Sequence, residues 1–261
     1  MSNTTELQVG NQKVKIVAGE LVGYQVSGHE FMHQKGNPGW RNVDTEMFPV
    51  IGPTNEADFK VTTAKGDAIQ DQHGLLREMS YSLTEKSDNK AVFTKKYTAN
   101  KEVLNSKYPN KSTEAKLSWP YNFEFEKSYE LKEDELVLTF TITGEEGMPF
   151  MLGYHPAFML HSENAVISTD TNDFSIAEVM EVGSRALHVP DANVIRLKDD
   201  RKLQITTEGF KHFMLWTEVP NMVCIEPITF YPYAVAQENI ADGFIVLKNK
   251  PMHFKVAIKP M

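Results

Sequence analysis

Apolar and polar side chains alternate along much of the chain, with the period of two that is typical of β-strands. In WPYNFEFEKSYEL, residues 119–131, one face is aromatic and consists of Trp119, Tyr121, Phe123 and Phe125. ELVLTFTIT and HFKVAIK alternate in the same way. A strand with one apolar face must cover a core, so these stretches predict antiparallel strands, and the aromatic face predicts packing.

Further strand-like runs are VKIVA, ELVGYQV, FKVTT, KAVFTKKY, NAVIST, KHFMLWTE, NMVCIE and GFIVLK. Turn-forming residues separate them, and no stretch has the periodicity of a convincing amphipathic helix. Neither a linker nor an internal repeat divides the chain. We therefore expect a single domain over residues 1–261, of the all-β class, folded as a large antiparallel β-sandwich.

Composition excludes several kinds of partner. The net charge of −8 argues against binding to nucleic acid and to anionic membranes. No window approaches the roughly 20 apolar residues of a membrane span. The single cysteine, Cys224, cannot form an internal disulfide and is expected to be a buried thiol. With no signal-peptide pattern in MSNTTELQVG, the expected location is the cytoplasm.

The stretch HEFMH, from His29 to His33, matches the HExxH pattern of zinc proteases. That pattern binds zinc only on a helix, where residues four apart lie one above the other. Strand-forming residues precede it, Ser27-Gly28 is a turn pair, and glycine and proline follow within a few residues. We therefore interpret HEFMH as part of a β-hairpin that turns at Ser27-Gly28, and expect no metal at this pair.

Two stretches place an ionisable residue directly before a proline in an apolar setting. NMVCIEPITFYPYA puts Glu226 at the predicted end of a buried strand, and FMLGYHPAFML does the same with His155. A buried carboxylate must be paired, hydrogen-bonded or protonated. Either residue alone is compatible with a structural role, but a carboxylate and an imidazole facing one cleft form a general base and a general acid. We expect the two side chains to lie about 5–8 Å apart in a cleft, each within reach of a different ligand atom.

With these motifs, the sequence resembles the aldose 1-epimerase family, the galactose mutarotase-like proteins, and within it the short bacterial LacX-like branch. QHGLLRE resembles the family's HGFAR segment, GYHPAF its His-Pro-x-Phe motif, and MFPVIG its FP-containing segment. GELVGYQVSGHEFMHQKGNPGW resembles its N-terminal hairpin, which ends at Trp40, and LWTEVPNMVCIEPITFYPYAV resembles the segment that carries its catalytic glutamate. The order and spacing of these motifs cover nearly the whole chain.

The resemblance implies a β-sandwich with a sugar cleft and an activity that interconverts the α and β anomers of a free aldose. By the family pattern, Glu226 is the base at O1 and His155 the acid at the ring oxygen O5. His73 is implied to hold the sugar, and Arg77 to donate to a hydroxyl or support His73. The implied partner is a small-molecule sugar, and no metal or organic cofactor is needed.

Two departures from the family pattern leave the substrate open. This chain has Gly52-Pro53 where the family often has Gly-Arg, for which Arg41 or Lys60 could compensate, and it has Phe230–Tyr233 where the family often has an Asp or a Trp-Gly run. The alternatives are a non-catalytic carbohydrate-binding or sensor protein and a hexose-6-phosphate 1-epimerase. Five scattered arginines make the phosphorylated substrate the weaker of these, and the oligomeric state is not indicated.

Overall fold

The computed structural model of the protein describes residues 4–39 and 44–261. Trp40 and Arg41 lie outside the described residues. Within the described part of the chain, none of the helices has the length and apolar character of a membrane span.

Strands make up nearly half of the described residues and are their main regular structure. The first twelve are β1 (Thr4–Val9), β2 (Gln12–Val17), β3 (Glu20–Val26), β4 (His29–Glu30), β5 (Asp44–Met47), β6 (Lys60–Thr63), β7 (Gly66–Ile69), β8 (Ser82–Lys86), β9 (Lys90–Tyr97), β10 (Val103–Leu104), β11 (Lys116–Leu117) and β12 (Phe123–Leu131). The others are β13 (Leu136–Gly144), β14 (Pro149–Phe150), β15 (Gly153–Met159), β16 (Val166–Ser168), β17 (Asp173–Ser175), β18 (Leu187–Val189), β19 (Val194–Lys198), β20 (Lys202–Glu208), β21 (His212–Trp216), β22 (Met222–Ile228), β23 (Ile245–Val246) and β24 (Met252–Pro260).

Helical structure is short. One α-helix, α1 (Ile176–Val182), begins with a capping box in which the Ser175 hydroxyl accepts from the Glu178 backbone N–H. Short 3₁₀ segments cover Asn55–Ala57, Leu76–Glu78, Gly183–Arg185, Pro232–Ala234 and, with a kink at Asn239, Gln237–Gly243.

Antiparallel pairing builds two large sheets. One has nine strands in the order β17-β16-β19-β20-β24-β13-β12-β9-β8, and the other has five in the order β18-β21-β22-β15-β5. The strands β1-β2-β3-β4 form a third sheet, which a bridge between Met32 and Phe158 connects to β15. The protein is therefore all-β and forms a large antiparallel sandwich, as the alternation predicts.

The core lies between the nine-stranded and five-stranded sheets. Phe140 of β13 packs against Tyr154 of β15, with ring centroids 5.1 Å apart, and both side chains are fully buried. The aromatic face from Trp119 to Phe125 is buried as well, so the prediction that it packs in the core is confirmed. Burial alternates residue by residue along β12, as expected for a strand with one face on the core.

HEFMH is part of a hairpin, as the turn signal predicts. β3 and β4 pair across Ser27 and Gly28, whose φ angles of 50° and 80° suit a tight two-residue hairpin turn. The His29 ring packs against His161 at 4.3 Å, whereas the buried His33 contacts the carbonyl oxygen of Pro38 through Nε2 at 3.1 Å. The segment is therefore not the helix that the zinc-protease pattern requires.

Removing the Phe140 ring tests the core. We expect Phe140→Ala to lower the free energy of unfolding by about 3–5 kcal/mol, because it opens a cavity where Phe140 meets Phe125, Tyr154 and Phe210. Urea unfolding measures the difference, with Leu104→Ala as the control because Leu104 is 73% exposed. Equal effects of the two substitutions would contradict this placement of the core.

Candidate active site

Glu226 and His155 lie inside strands, not at their ends as the sequence pattern suggested. β22 continues through Glu226 and Pro227 to Ile228, and β15 continues through His155 and Pro156 to Met159. Pro227 still has Phe213 of β21 as its cross-strand neighbour. A proline removes one ladder hydrogen bond without necessarily ending the strand, which is why the pattern misled.

The register of β15 and β22 explains why the two residues meet. Gly153 pairs with Ile228 and Ala157 with Cys224, so the same register places His155 directly opposite Glu226. The ladder is interrupted between these two points, where Pro156 and Pro227 cannot donate an N–H. Directly opposite residues have Cβ atoms about 4.5–5.5 Å apart, so the strand pairing itself brings the two side chains into contact.

A row of side chains crosses the five-stranded sheet at this level. Successive cross-strand neighbours are Thr45, His155, Glu226, Met214 and His188. Neighbours in one row share a face, and alternate residues such as Tyr154 point into the core. The row therefore lies on the face that is turned away from the core.

A cleft of about 650 Å³ lies over this face. Its lining includes all four residues that the sequence singled out, His73, Arg77, His155 and Glu226. The structure thus brings together side chains that are separated by up to 153 positions in the chain, from position 73 to 226.

Glu226 lies at the floor of the cleft and His155 above it. The His155 Nε2 and Glu226 Oε1 atoms are 3.2 Å apart, and the side chains are 18% and 2% exposed. This contact is shorter than the 5–8 Å expected from the sequence. The expectation assumed well-separated ligand atoms, whereas the pairing of β15 and β22 fixes the two side chains side by side.

Burial sets the protonation of this pair. Desolvation raises the pKa of Glu226 well above its usual range, since a carboxylate at this depth loses its hydration. Desolvation, assisted by the positive charge of Arg77, lowers the pKa of His155 to about 4. Burial therefore favours the protonated, neutral form of Glu226 and the neutral imidazole of His155.

His73 and Arg77 form a second pair in the cleft. The Arg77 Nη1 atom is 2.6 Å from His73 Nδ1, and the His73 ring packs edge-on against the His155 ring at 5.4 Å. Because a guanidinium can only donate, Nδ1 must be the acceptor and Nε2 must carry the proton. Burial and the Arg77 charge hold the pKa of His73 well below its usual value, so the ring stays neutral. His73 therefore offers an N–H donor at Nε2.

A tight turn around Gly74 places His73. The His73 backbone has a φ of 77°, its N–H donates to Ile51 O at 2.7 Å, and its carbonyl accepts from Phe48 N–H at 3.3 Å. Gly74 has a φ of 69°, and a Cβ there would lie 2.3 Å from the Phe48 carbonyl oxygen. Only glycine fits this close approach of two backbones, which gives the glycine of QHGLLRE a structural reason.

Sequence reasoning missed several residues of the cleft. Trp216 lies in the lining with its ring 6.1 Å from that of His155, and Lys107 donates to Asp71 Oδ1 at 2.9 Å and to Gln72 O at 2.8 Å. Lys111 also lines the cleft. Trp216 occurs in LWTEVPNMVCIEP, and an aromatic residue shortly before the strand of Glu226 is a pattern that could have marked it as a cleft residue. The two lysines come from a loop without a recognisable pattern.

The departures from the family pattern lie in or near the cleft. Gly52 and Tyr233 both line it, and the Tyr233 hydroxyl donates to Ser184 O at 3.2 Å. Lys60 is exposed on β6 and is not among the described residues that line the cleft. It therefore does not stand in for the arginine that the family often has.

One group of side chains has metal-ligand chemistry. An Nε2 or Nδ1 of His155, the Cys224 thiol and a Glu226 oxygen all lie within 4.8 Å of one another. Cys224 is buried within β22, and burial raises its thiol pKa well above the usual value. The thiolate is the form that binds metals, so this burial disfavours a metal ion at the group.

Comparison with known proteins agrees with this geometry. The model of the aldose 1-epimerase family matches residues 57–189, just over half of the chain. The chain belongs to the aldose 1-epimerase family. The matched range contains His73, Arg77 and His155, whereas Glu226 lies outside it and joins them only through the fold.

Solved structures share the fold of this aldose 1-epimerase family member across its whole length. A galactose mutarotase related enzyme from Lactobacillus acidophilus superposes with a TM-score of 0.77 at 19% identity, covering 99% of this chain and 97% of that one. A galactose mutarotase-like protein from Lactobacillus casei gives 0.78 at 16% identity, covering 99% and 100%. One from Clostridium acetobutylicum gives 0.67 at 16%, covering 100% and 98%. No curated protein matches the sequence significantly. The narrower resemblance to the LacX-like branch stays a prediction.

Proposed function

We propose that this protein interconverts the α and β anomers of a free aldose by general acid–base catalysis, with Glu226 and His155 as the reacting pair. The observation that carries the proposal is the 3.2 Å contact between His155 Nε2 and Glu226 Oε1 at the floor of a cleft. O1 and O5 of a cyclic aldose are bonded to the same carbon and lie close together. Two protein groups in contact with each other match two such oxygens.

The reaction moves two protons and leaves the proton count of the pair unchanged. Glu226 takes the proton from the O1 hydroxyl as C1–O1 becomes a carbonyl, the C1–O5 bond breaks towards O5, and His155 delivers a proton to O5. The aldehyde turns about C1–C2, and the reverse steps close the ring on its other face. No oxidant or reductant is needed.

This assignment requires the tautomer with the proton on His155. It forms from the resting pair when one proton crosses the 3.2 Å contact, and the total charge of the buried pair does not change. The two side chains therefore exchange protons with the sugar as a unit. Low exposure keeps bulk water away from Glu226, so both transfers occur among fixed partners.

The other cleft residues hold the sugar. His73, kept neutral with Nδ1 occupied by Arg77, donates from Nε2 to a sugar hydroxyl. Trp216 supplies an aromatic wall near His155 against which the apolar face of a pyranose can pack. Arg77 acts mainly through His73, to which it donates at 2.6 Å.

Glu226→Gln tests the base. We expect turnover to fall about 10²–10⁴-fold, because the amide cannot accept the O1 proton, while sugar binding weakens much less. Polarimetry of mutarotation and a binding titration measure the two quantities. Glu208→Gln, the same change at an exposed residue, is the control. A Glu226→Gln protein at full rate would exclude this role and favour the non-catalytic sugar-binding alternative.

The pH dependence tests the one-proton state. The value of kcat/KM should rise near pH 4, where His155 loses its extra proton, and stay high through neutrality. It should fall at alkaline pH only when the last proton leaves the pair, above the usual glutamate range because burial raises the pKa of Glu226. Unperturbed groups would give a window between about 4.3 and 6.5 instead. A fall in kcat/KM on the alkaline side already near pH 6.5 would contradict the burial argument.

A second candidate function is epimerisation of a hexose 6-phosphate. Lys107 and Lys111 line the cleft together with Arg77, which places three cationic side chains around it. Asp71 offsets one of them by pairing with Lys107 at 2.9 Å, so free aldoses remain the first choice.

Turnover of glucose, galactose, xylose and the hexose 6-phosphates separates these candidates. We expect free aldoses to be turned over faster, because a phosphate would compete with Asp71 for Lys107. If the phosphates win, Lys111→Met should raise their KM about 5–10-fold, as expected for loss of one charge-assisted hydrogen bond. Sugar binding without turnover of any of them would favour the sensor alternative.

A further inference from the structure

A cluster of three charged side chains lies in the core, behind the sheet that carries the cleft. Lys127 Nζ is 2.6 Å from Glu46 Oε1, and Lys95 Nζ is 3.9 Å from Glu46 Oε2. Glu46, Lys95 and Lys127 are 2%, 5% and 0% exposed. Charged groups are rarely buried to this extent, so their retention calls for a physical reason.

Tyrosine rings surround the two ammonium groups of this cluster. Lys95 Nζ lies 4.0 Å from the centroid of the Tyr81 ring, and Lys127 Nζ lies 5.1 Å and 5.3 Å from those of Tyr129 and Tyr154. Burial opposes the charge on Glu46, but Lys127 and Lys95 outweigh it and hold its pKa below the usual value. Lys127 makes the closer contact with Glu46, at 2.6 Å against 3.9 Å for Lys95, so Glu46 alone does not explain the position of Lys95.

Lys95 connects the cluster to the turn that carries Arg77. Its Nζ donates to the carbonyl oxygen of Leu76 at 2.8 Å, directly before Arg77 in the chain. The same turn is held to the end of β5, because Leu76 N–H donates to Phe48 O at 3.0 Å and Phe48 N–H to His73 O at 3.3 Å. Leu76 O also accepts from Met79 N–H at 3.1 Å, so this carbonyl keeps a partner if Lys95 is lost.

Glu46 connects the cluster to the reacting pair. It lies on β5 opposite Tyr154, and its neighbour Thr45 lies opposite His155 on the cleft face. The salt bridge from β9 to β5 and the bond from β9 to the turn therefore share one anchor, the Lys95 ammonium. Through this ammonium, the strand beside His155 and the turn that carries His73 and Arg77 are attached to the same point in the core.

We infer that Lys95 is a positioning residue for the cleft, which fixes the His73–Arg77 pair relative to the His155–Glu226 pair. Its ammonium holds the Leu76 carbonyl from behind, and Lys95 is not among the described residues that line the cleft. Misplacement of about 1 Å in an active site lowers rates about 10²-fold. Loss of this one hydrogen bond should therefore affect the reaction more than the stability of the fold.

Lys95→Met tests the inference. The substitution keeps the length of the side chain and leaves the 2.6 Å contact between Lys127 and Glu46 in place, so the protein should fold with moderately changed stability. We expect kcat/KM to fall about 10–100-fold, mainly through KM, because His73 and Arg77 hold the sugar. Lys95→Arg, which retains a charged donor, should recover most of the loss. Lys96→Met, the same change at the neighbouring residue whose side chain is 76% exposed, is the matched control.

The role of Lys95 in catalysis rests on the proposed function. A second measurement tests its positioning role without any turnover. Long-range ¹H–¹⁵N NMR spectra of the imidazoles, with His73 assigned through His73→Gln, report the tautomer and surroundings of His73. We expect its signals to move in Lys95→Met and not in Lys96→Met. Wild-type protein that turns over no sugar would refute the proposed function, while the His73 signals still decide the role of Lys95.

Unchanged KM together with unmoved His73 signals in Lys95→Met would overturn the inference. It is overturned equally if Lys96→Met moves KM and the His73 signals as far as Lys95→Met does. Should Lys95→Met fail to fold, Lys95→Gln is measured in its place, with the same expected and contrary results.

Discussion

The contact between His155 and Glu226 is the interaction on which the rest of the site depends. Both side chains are withdrawn from water, which disfavours a charge on either one and favours a protonated Glu226 beside a neutral His155. A donor and an acceptor in contact form a unit that can take one proton and give another. In the proposed reaction, Trp216 and His73 hold the sugar against this pair.

The five-stranded sheet separates this chemistry from the structure that supports it. On its outer face, one row of cross-strand neighbours places His155 beside Glu226. On its inner face, Tyr154 and Glu46 point into the core and meet the nine-stranded sheet. Alternation along a strand thus lets neighbouring residues serve two surfaces. The buried charges of Glu46, Lys95 and Lys127 lie on the inner face, where β5 meets β9 and β12 of the nine-stranded sheet.

Family membership and fold agree, yet they say different things about the site. The family match ends at residue 189, so it includes three of the four cleft residues and not the glutamate. The solved structures have identities below 20% and show the fold alone. What joins Glu226 to the others is the pairing of β15 with β22. The catalytic roles proposed here therefore rest on contacts within this chain, and the choice of sugar rests on the cleft lining.

Local sequence patterns were enough to predict the all-β class, the hairpin at Ser27-Gly28 and four of the residues that line the cleft. These follow from alternation, turn chemistry and the family's motifs, which need no knowledge of distant residues. The contact between His155 and Glu226, their positions within strands and the lowered pKa of His155 emerged with the three-dimensional structure. The same holds for the lysines of the cleft and for the buried cluster around Lys95. The physical reason is that register and desolvation arise from residues far apart in the chain, so no local pattern records them.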